Sequence, residues 1–256
     1  MVALNNLGKF SVLLLSAGRG SRLGKKGKII PKSLLKIGSE TILFRITNYL
    51  MTRGLKEVNI VVGYKYKKIL NELKKFKDLK VNYIKIKDYV NNGSSFSWFK
   101  FHKLWNKKKK PLLVMHTDIV FDQKHFDNIL KSKKLNIIGV KKEKKNKLKK
   151  NSFVVQVNKK MEIEKIGLNH QILKSYGEIT CINKFSTKSA DKIFKFMNDY
   201  FKINGSDMTW EYILSDFIEF NYNEKFFILK NQIFNWVNVN TPKDIILAKK
   251  LFGDKI

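Results

Sequence analysis

Short apolar segments alternate with amphipathic helical segments through the first half of the chain, and this alternation limits the fold more than any other feature. The apolar runs are rich in Val, Ile and Leu, as in strands that are buried on both faces. The pattern predicts strands at 11–17, 58–62, 81–86 and 112–116, and helices at 42–52, 66–76 and 95–105. Elements in this order build right-handed βαβ units, so we expect an α/β fold with a mostly parallel sheet flanked by helices.

After residue 141 the pattern becomes one that is typical of antiparallel pairing. Alternating runs at 153–157 and 161–166, joined through 158–160, predict a hairpin. Further strands are predicted at 178–183, 226–229 and 236–239, with helices at 189–201, 210–217 and from 242 to about 251. No repeat or low-complexity linker separates the two parts. We therefore expect one domain over residues 1–256, made of two halves at about 1–140 and about 141–256.

The formal net charge of +31 bears on which partners the chain can have. Lysine supplies almost all of the positive charge, and arginine occurs only at positions 19, 22, 45 and 53. Proteins that read bases use the bidentate fork of arginine, so we expect no specific nucleic-acid partner. The lysine runs at 107–110 and 141–150 are typical of solvated loops.

The compartment is predicted from what the sequence lacks. Cys181 is the single cysteine, so no internal disulfide can form. No apolar run has the length of a transmembrane helix, and the first ten residues lack the order of a secretory leader. We expect a cytoplasmic protein. The oligomeric state stays open, a homo-oligomer included.

A glycine-rich segment directly follows the first predicted strand. It reads Leu-Ser-Ala-Gly-Arg-Gly-Ser-Arg-Leu over 15–23, and Pro31-Lys32 comes nine residues later. Glycines let the backbone turn tightly and present its amides to an anion, and Arg22 adds a charged fork suited to phosphate oxygens. The spacing argues against a P-loop, which needs Gly-Lys-Ser/Thr, and against a Gly-x-Gly-x-x-Gly dinucleotide fold.

This segment resembles the signature of the sugar-phosphate and choline-phosphate nucleotidyltransferases, Ala-Gly-x-Gly-Ser/Thr-Arg-Leu/Met followed by a loop and Pro-Lys. Every fixed position is present, and the similarity continues at 43–64, 112–121, 176–178 and 236–244. The resemblance implies a Rossmann-like fold with a nucleotide-binding first half and a smaller antiparallel, acceptor-binding part. It also implies an enzyme that moves a nucleoside monophosphate from a triphosphate to a small phosphorylated acceptor and releases pyrophosphate.

The resemblance also assigns roles to residues on the nucleotide side. Lys32 would stabilise charge on the α-phosphate, and Arg22 would hold the β- and γ-phosphates. The remaining nucleotide contacts implied are Ala17, Gly18, Arg19, Gly20, Ser21, Gly93 and Ser94.

Magnesium is the cofactor implied. Asp118 is its expected ligand, because open α/β sheets bind ligands at the carboxyl ends of their strands. The second ligand is Asn240, which stands where the family usually has aspartate. Asn240 could equally cap the helix that starts at Pro242, and Asp244 is an alternative ligand.

The substrates are predicted from two further segments. Residues 89–97 lack the Leu-Gly-Thr stretch of the sugar-phosphate enzymes and are more similar to the Asn-rich stretch of the phosphocholine and aminoethylphosphonate cytidylyltransferases, which favours CTP. Trp210-Glu211 is similar to a stretch that helps bind the acceptor in choline-phosphate enzymes, and a ring beside a carboxylate suits an ammonium group. Glu178 and Trp236 complete the expected acceptor set, although a tryptophan at this spacing can instead be a core residue.

The leading hypothesis is therefore a cytidylyltransferase that makes an activated headgroup, such as CDP-choline, for a surface glycan or lipid. Two alternatives stay open. One is a sugar-1-phosphate nucleotidyltransferase that uses UTP, GTP or dTTP. The other is a basic nucleotide- or RNA-binding protein without catalysis.

Overall fold

A computed structural model describes residues 7–220 and 223–253 of the chain. The elements of the first half are β1 (Ser11–Ser16), α1 (Lys25–Ile29), β2 (Lys36–Ile37), β3 (Glu40–Thr41), α2 (Ile42–Thr52), β4 (Glu57–Val62), α3 (Tyr66–Leu73), β5 (Lys80–Lys85), α4 (Ser94–Trp105), β6 (Leu112–His116), β7 (Ile119–Phe121), α5 (Gln123–Lys131) and β8 (Ile137–Lys142). Those of the second half are β9 (Phe153–Val157), β10 (Ile163–Leu168), β11 (Gly177–Phe185), α6 (Thr187–Asn204), α7 (Trp210–Glu219), β12 (Trp236–Asn238) and α8 (Pro242–Phe252). None of the helices in these ranges is long and apolar enough to span a membrane.

Eight strands form one mixed sheet in the order β10-β9-β11-β6-β1-β4-β5, with β8 also paired to β11. The pairs β6–β1, β1–β4 and β4–β5 are parallel. β11 runs antiparallel to β6, β8 and β9, and β9 runs antiparallel to β10. The predicted α/β class, a Rossmann-like mixed sheet with an antiparallel part in the second half, is confirmed.

Strand β1 lies at the centre of the parallel part and is buried at every position, as its run of Val and Leu predicts. It pairs with β6 so that Leu15 lies beside His116. The carboxyl ends of β1 and β6 are therefore neighbours, and the loops that leave them meet at one edge of the sheet.

The segment 226–229, predicted as a strand, does not form one. Phe227 makes single bridges to Ile137 on one side and Glu162 on the other. Its backbone hydrogen bonds to 136–138 and to 161–163 are confined to residues 226–228, so no ladder extends. The apolar pattern also missed α5 and β8.

Candidate active site

A cavity of about 850 Å³ opens where the carboxyl ends of β1 and β6 meet, within the size range of small-molecule sites. Segments from both halves of the chain line it. They are the glycine-rich segment 15–22, which we call the glycine loop, the start of α4, residues 116–118, the loop between β8 and β9, part of β11, the start of α7 and residues 236–244.

The glycine loop is shaped around Lys32. Gly20 has φ +69°, a left-handed conformation that favours glycine, and a Cβ there would lie 2.8 Å from the Lys32 Cγ. A Cβ on Gly27 would lie 2.3 Å from the Gly20 carbonyl oxygen. Ser16 Oγ donates to Ser33 Oγ at 3.0 Å, which ties the end of β1 to the residue after Lys32. The Lys32 side chain therefore passes over the loop into the cavity.

Four residues that the sequence singled out meet at one point, although 86 to 218 positions separate the bonded pairs. Lys32 Nζ donates to Asp118 Oδ2 at 2.9 Å and also to Asn240 Oδ1. Arg22 Nη2 donates to the same Asn240 oxygen at 2.9 Å. The Val239 amide donates to the Asp118 carbonyl at 2.8 Å, which brings the segment after β12 beside the segment after β6. The ammonium group thus lies between the two expected metal ligands.

The charge states of this cluster follow from burial and from Lys32. Burial opposes ionisation of the Asp118 carboxyl, but the Lys32 ammonium outweighs it and holds the pKa of Asp118 below its ordinary value. Burial lowers the pKa of His116, whose Nδ1 lies 3.9 Å from Asp118 Oδ1. Near neutral pH, Asp118 is therefore an anion beside a neutral imidazole.

The cap of α8 bears on the alternatives for Asn240 and Asp244. Thr241, not Asn240, is the N-cap, and it forms a capping box with Asp244. Asp244 Oδ2 accepts from the amides of Asn240 and Thr241 and from the Thr241 hydroxyl. Lys149 pairs with the other oxygen at 3.1 Å. Both Asp244 oxygens therefore have partners, Oδ2 in the cap and Oδ1 in Lys149, while the Asn240 side-chain oxygen accepts from Lys32 and Arg22.

The donor set near Asp118 is small. Asp118 Oδ1 is buried and has no hydrogen-bond partner among the described residues. Within the same ranges no three or more His, Cys, Asp or Glu side chains are grouped so that they could hold a metal ion. One free carboxylate oxygen with a nearby amide oxygen fits magnesium, which takes few protein ligands and completes its shell with phosphates and water.

Three of the four acceptor residues expected from the sequence line the cavity, namely Glu178, Glu211 and Trp236. Burial, with some contribution from the Asp118 charge, raises the pKa of Glu211 to about 7. Burial also raises the pKa of Glu178, which accepts from Ser152 Oγ at 2.6 Å. Trp236 Nε1 donates to the Thr180 carbonyl at 3.0 Å, which fixes its ring against β11.

Two expected contacts are not part of the cavity wall. Trp210 is only 1% exposed; its ring packs edge-on against Trp98 and His116, so it is a core residue, one of the readings that the sequence left open. Arg19 points into solvent from the outer side of the glycine loop. The other expected nucleotide-side residues do line the cavity: Ala17, Gly18, Gly20, Ser21, Arg22, Lys32, Gly93, Ser94, Asp118 and Asn240.

Some cavity residues escaped the sequence analysis. The lysine run at 141–150 was interpreted as a solvated loop, yet Lys141, Lys147, Lys149 and Lys150 lie along the rim. Nothing in the run distinguishes it from the other lysine runs, because its position depends on how β8 and β9 pair with β11. Cys181 also lines the cavity, from a bulge in β11 where its φ is +61°.

Comparison with known proteins gives two partial sequence relatives and a close match in fold. The chain is 30% identical over 131 residues to the D-glycero-alpha-D-manno-heptose 1-phosphate guanylyltransferase of Campylobacter jejuni, covering 43% of this chain and 59% of that protein. It is 30% identical over 60 residues to the 2-aminoethylphosphonate cytidylyltransferase of Lancefieldella rimae, covering 23% and 24%. The chain thus spans less than two thirds of each relative. The solved CTP:phosphocholine cytidylyltransferase from Streptococcus pneumoniae has a similar fold, with TM-score 0.75, 15% identity and coverage of 94% of this chain and 98% of that one.

The glycine loop, the Lys32–Asp118 pair and the parallel strands that carry them fall within one matched region. The family model of the nucleotidyl transferases matches residues 11–167, more than half of the chain. The chain belongs to the nucleotidyl transferase family.

Proposed function

We propose that the protein is a magnesium-dependent cytidylyltransferase that transfers CMP from CTP to a small phosphorylated amino alcohol, such as phosphocholine, and releases pyrophosphate. The charge of the cavity wall is the observation that supports an amine-bearing acceptor. The chain has 52 basic and 21 acidic residues, yet the cavity is lined by six of the former and five of the latter. Acidic side chains are thus a larger share of the charged residues in the cavity than in the whole chain.

The basic end of the cavity suits the triphosphate. Arg22, Lys32 and the amides of the glycine loop present positive charge to the phosphates. In the reaction an acceptor phosphate oxygen forms a bond to the α-phosphorus while the α–β bridging bond breaks and pyrophosphate leaves. Lys32 stabilises the charge that builds on the α-phosphate, and the acceptor phosphate is already ionised, so it needs no general base. Magnesium held by Asp118 and the Asn240 amide oxygen would neutralise phosphate charge.

The carboxyl groups of Glu178 and Glu211, which line the cavity, suit the end of the acceptor that bears the amine. Glu211 lines the cavity, is buried, and forms no ion pair with a described lysine or arginine. A buried carboxylate gains from a cationic partner, because its own desolvation is then offset by Coulomb attraction. A quaternary or primary ammonium supplies that partner, and the ring of Trp236 borders the same wall.

The test is pyrophosphate release with magnesium, crossing CTP, UTP, GTP, ATP and dTTP with phosphocholine, 2-aminoethylphosphonate and several sugar 1-phosphates. We expect turnover with CTP and an amine-bearing acceptor. Lys32→Ala should lower kcat by about 10²–10³-fold, as for other groups that stabilise transition-state charge. Glu211→Gln should raise the KM of the acceptor far more than that of CTP.

A sugar-1-phosphate nucleotidyltransferase is the second candidate, favoured by the similarity to the heptose 1-phosphate enzyme over 131 residues. Turnover with a sugar 1-phosphate alone would establish it and would overturn the amino-alcohol assignment. Equal effects of Glu211→Gln on the two KM values would remove Glu211 from the acceptor site.

A further inference from the structure

Two helices that border different parts of the cavity begin against each other. Helix α4 starts at Ser94, on the side expected to bind the nucleotide, and α7 starts at Trp210, directly before Glu211. The segment 92–95 and the segment 206–210 are more than a hundred positions apart in sequence, yet they are joined by several hydrogen bonds. We call this contact the α4–α7 clasp.

Main-chain contact in the clasp requires a glycine. The Gly93 amide donates to the Ser206 carbonyl at 2.8 Å. A Cβ on Gly93 would lie 1.9 Å from the Met208 carbonyl oxygen and 2.4 Å from that of Asp207. Real Cβ atoms do not approach backbone this closely, so residue 93 admits only glycine. The closeness of the two segments, and not a positive φ, is the reason for glycine here.

Serine hydroxyls complete the clasp. Ser94 Oγ accepts from the Trp210 amide at 3.1 Å, and Ser95 Oγ donates to the Met208 carbonyl at 2.6 Å. Ser206 Oγ donates to the side-chain oxygen of Asn92. Every member of segment 92–95 thus has a partner in segment 206–210.

The bond from Trp210 to Ser94 replaces a missing local cap. Thr209 occupies the N-cap position of α7, but its side chain makes no capping bond. A helix start normally takes such a bond from its own N-cap. In this chain, the hydroxyl comes from the first residue of α4.

We propose that Ser94 is a positioning residue that couples the nucleotide side of the cavity to the acceptor side. Its hydroxyl fixes the first turn of α7 and with it the Glu211 carboxylate. A nucleotide that settles against segment 92–95 therefore also orders the acceptor wall. This proposal rests on the function proposed above, in which Glu211 binds the acceptor.

Kinetics of four serine variants test the coupling. Ser94→Ala removes the capping acceptor, and Ser206→Ala weakens the clasp from a residue that does not line the cavity. Both should raise the KM of the acceptor about fivefold, the equivalent of one lost helix cap, with a smaller change in the KM of CTP. Ser94→Thr keeps a hydroxyl and should restore the acceptor KM. Ser215→Ala is the matched control, because it removes one hydroxyl bond, to the Ile166 carbonyl, from the far part of the same helix.

Hydrogen exchange gives a readout that does not need turnover. Addition of CTP and magnesium should protect the amides of 209–213 in the wild-type protein and in Ser215→Ala, and this protection should be lost in Ser94→Ala. Equal protection in wild type and Ser94→Ala, or none in either, overturns the coupling. An acceptor KM that rises no more in Ser94→Ala and Ser206→Ala than in Ser215→Ala does the same. If no substrate pair turns over but the exchange pattern appears, the proposed acceptor is wrong and the coupling stands.

Discussion

At the scale of single residues, Lys32 helps to keep the Asp118 carboxyl ionised. The carboxylate stays ionised in a buried position because the ammonium lies 2.9 Å away. Asn240 accepts from the same ammonium without adding a second negative charge. An aspartate at this position would bring two carboxylates to one lysine. With Arg22 bound to the same amide oxygen, the asparagine therefore leaves the cluster with a net positive charge before any substrate binds.

Glu211 gives the proposed reaction a pH dependence that can be measured. Its pKa of about 7 lies above the ordinary value of 4.5, so the carboxyl is protonated at low pH and becomes an anion only near neutrality. A cationic acceptor needs the anion, so its KM should fall by about tenfold as pH rises from about 6 to about 8. Burial lowers the pKa of His116, and the Lys32 ammonium helps to hold the pKa of Asp118 below its ordinary value. Cys181 stays neutral, since its pKa is raised.

The variant Glu211→Gln isolates this effect. Its KM profile should retain only the titration of the acceptor phosphate, whose second pKa is about 6. The same substitution should also remove a contribution of Glu211 to the pH dependence of the free energy of unfolding. Between pH 4.5, its ordinary pKa, and about pH 7, the Glu211 carboxyl keeps its proton in the folded protein and loses it in the unfolded chain. The free energy of unfolding of the wild-type protein therefore falls as pH rises through this range. A wild-type KM for the amine-bearing acceptor that matches the variant at every pH would contradict the prediction.

At the scale of elements, the starts of α4, α7 and α8 each contribute side chains to the cavity. Helix α8 has a complete local cap in Thr241 and Asp244. Helix α7 lacks one and takes its hydroxyl from α4. The cap of α8 therefore lies within its own segment, whereas the cap of α7 depends on a residue of another helix.

The difference between the caps predicts unequal effects on stability. Thr241→Ala should lower the free energy of unfolding by about 1 kcal/mol, because the hydroxyl that binds the Asp244 amide is lost. Thr209→Ala removes a hydroxyl from an N-cap position where no such bond exists, and should cost less. Denaturant unfolding of the two variants measures both values. Equal losses would show that the Thr241 bond adds nothing beyond the packing of a threonine.

The sequence predicted the elements whose apolar period is long and uninterrupted. Helix α2 and strand β6 begin and end where the pattern placed them. The family signature also identified Arg22, Lys32, Asp118 and Asn240, which do lie together. What it could not give were contacts that depend on tertiary position. Among them are the burial of Trp210 and the bridging of Phe227 between two strands.

At the scale of the whole molecule, positive charge is spread over the surface while the cavity is nearly balanced. A net charge of +31 attracts any polyanion from a distance, but the attraction between exposed charges is screened by salt. Contacts inside the cavity, such as the Lys32–Asp118 pair, are largely shielded from that screening by burial. Substrate recognition and surface attraction should therefore respond differently to ionic strength.

Salt titration tests this separation. Association with a short single-stranded RNA, followed by fluorescence anisotropy, should weaken steeply and without regard to sequence as sodium chloride is raised. The KM of the small acceptor should change by less than about threefold over the same range. RNA affinity that persists in high salt and depends on base sequence would overturn the expectation of no specific nucleic-acid partner.

The Lys32–Asp118–Asn240 cluster also has a consequence for the order of events during synthesis. Its lysine leaves the ribosome early, its carboxylate near the middle and its amide more than two hundred residues after the lysine. The parallel strands β1, β4 and β6 can pair long before the amide is available. A nascent chain whose parallel strands have already paired would thus still lack the wall of the cavity that β12 and the segment before α8 supply.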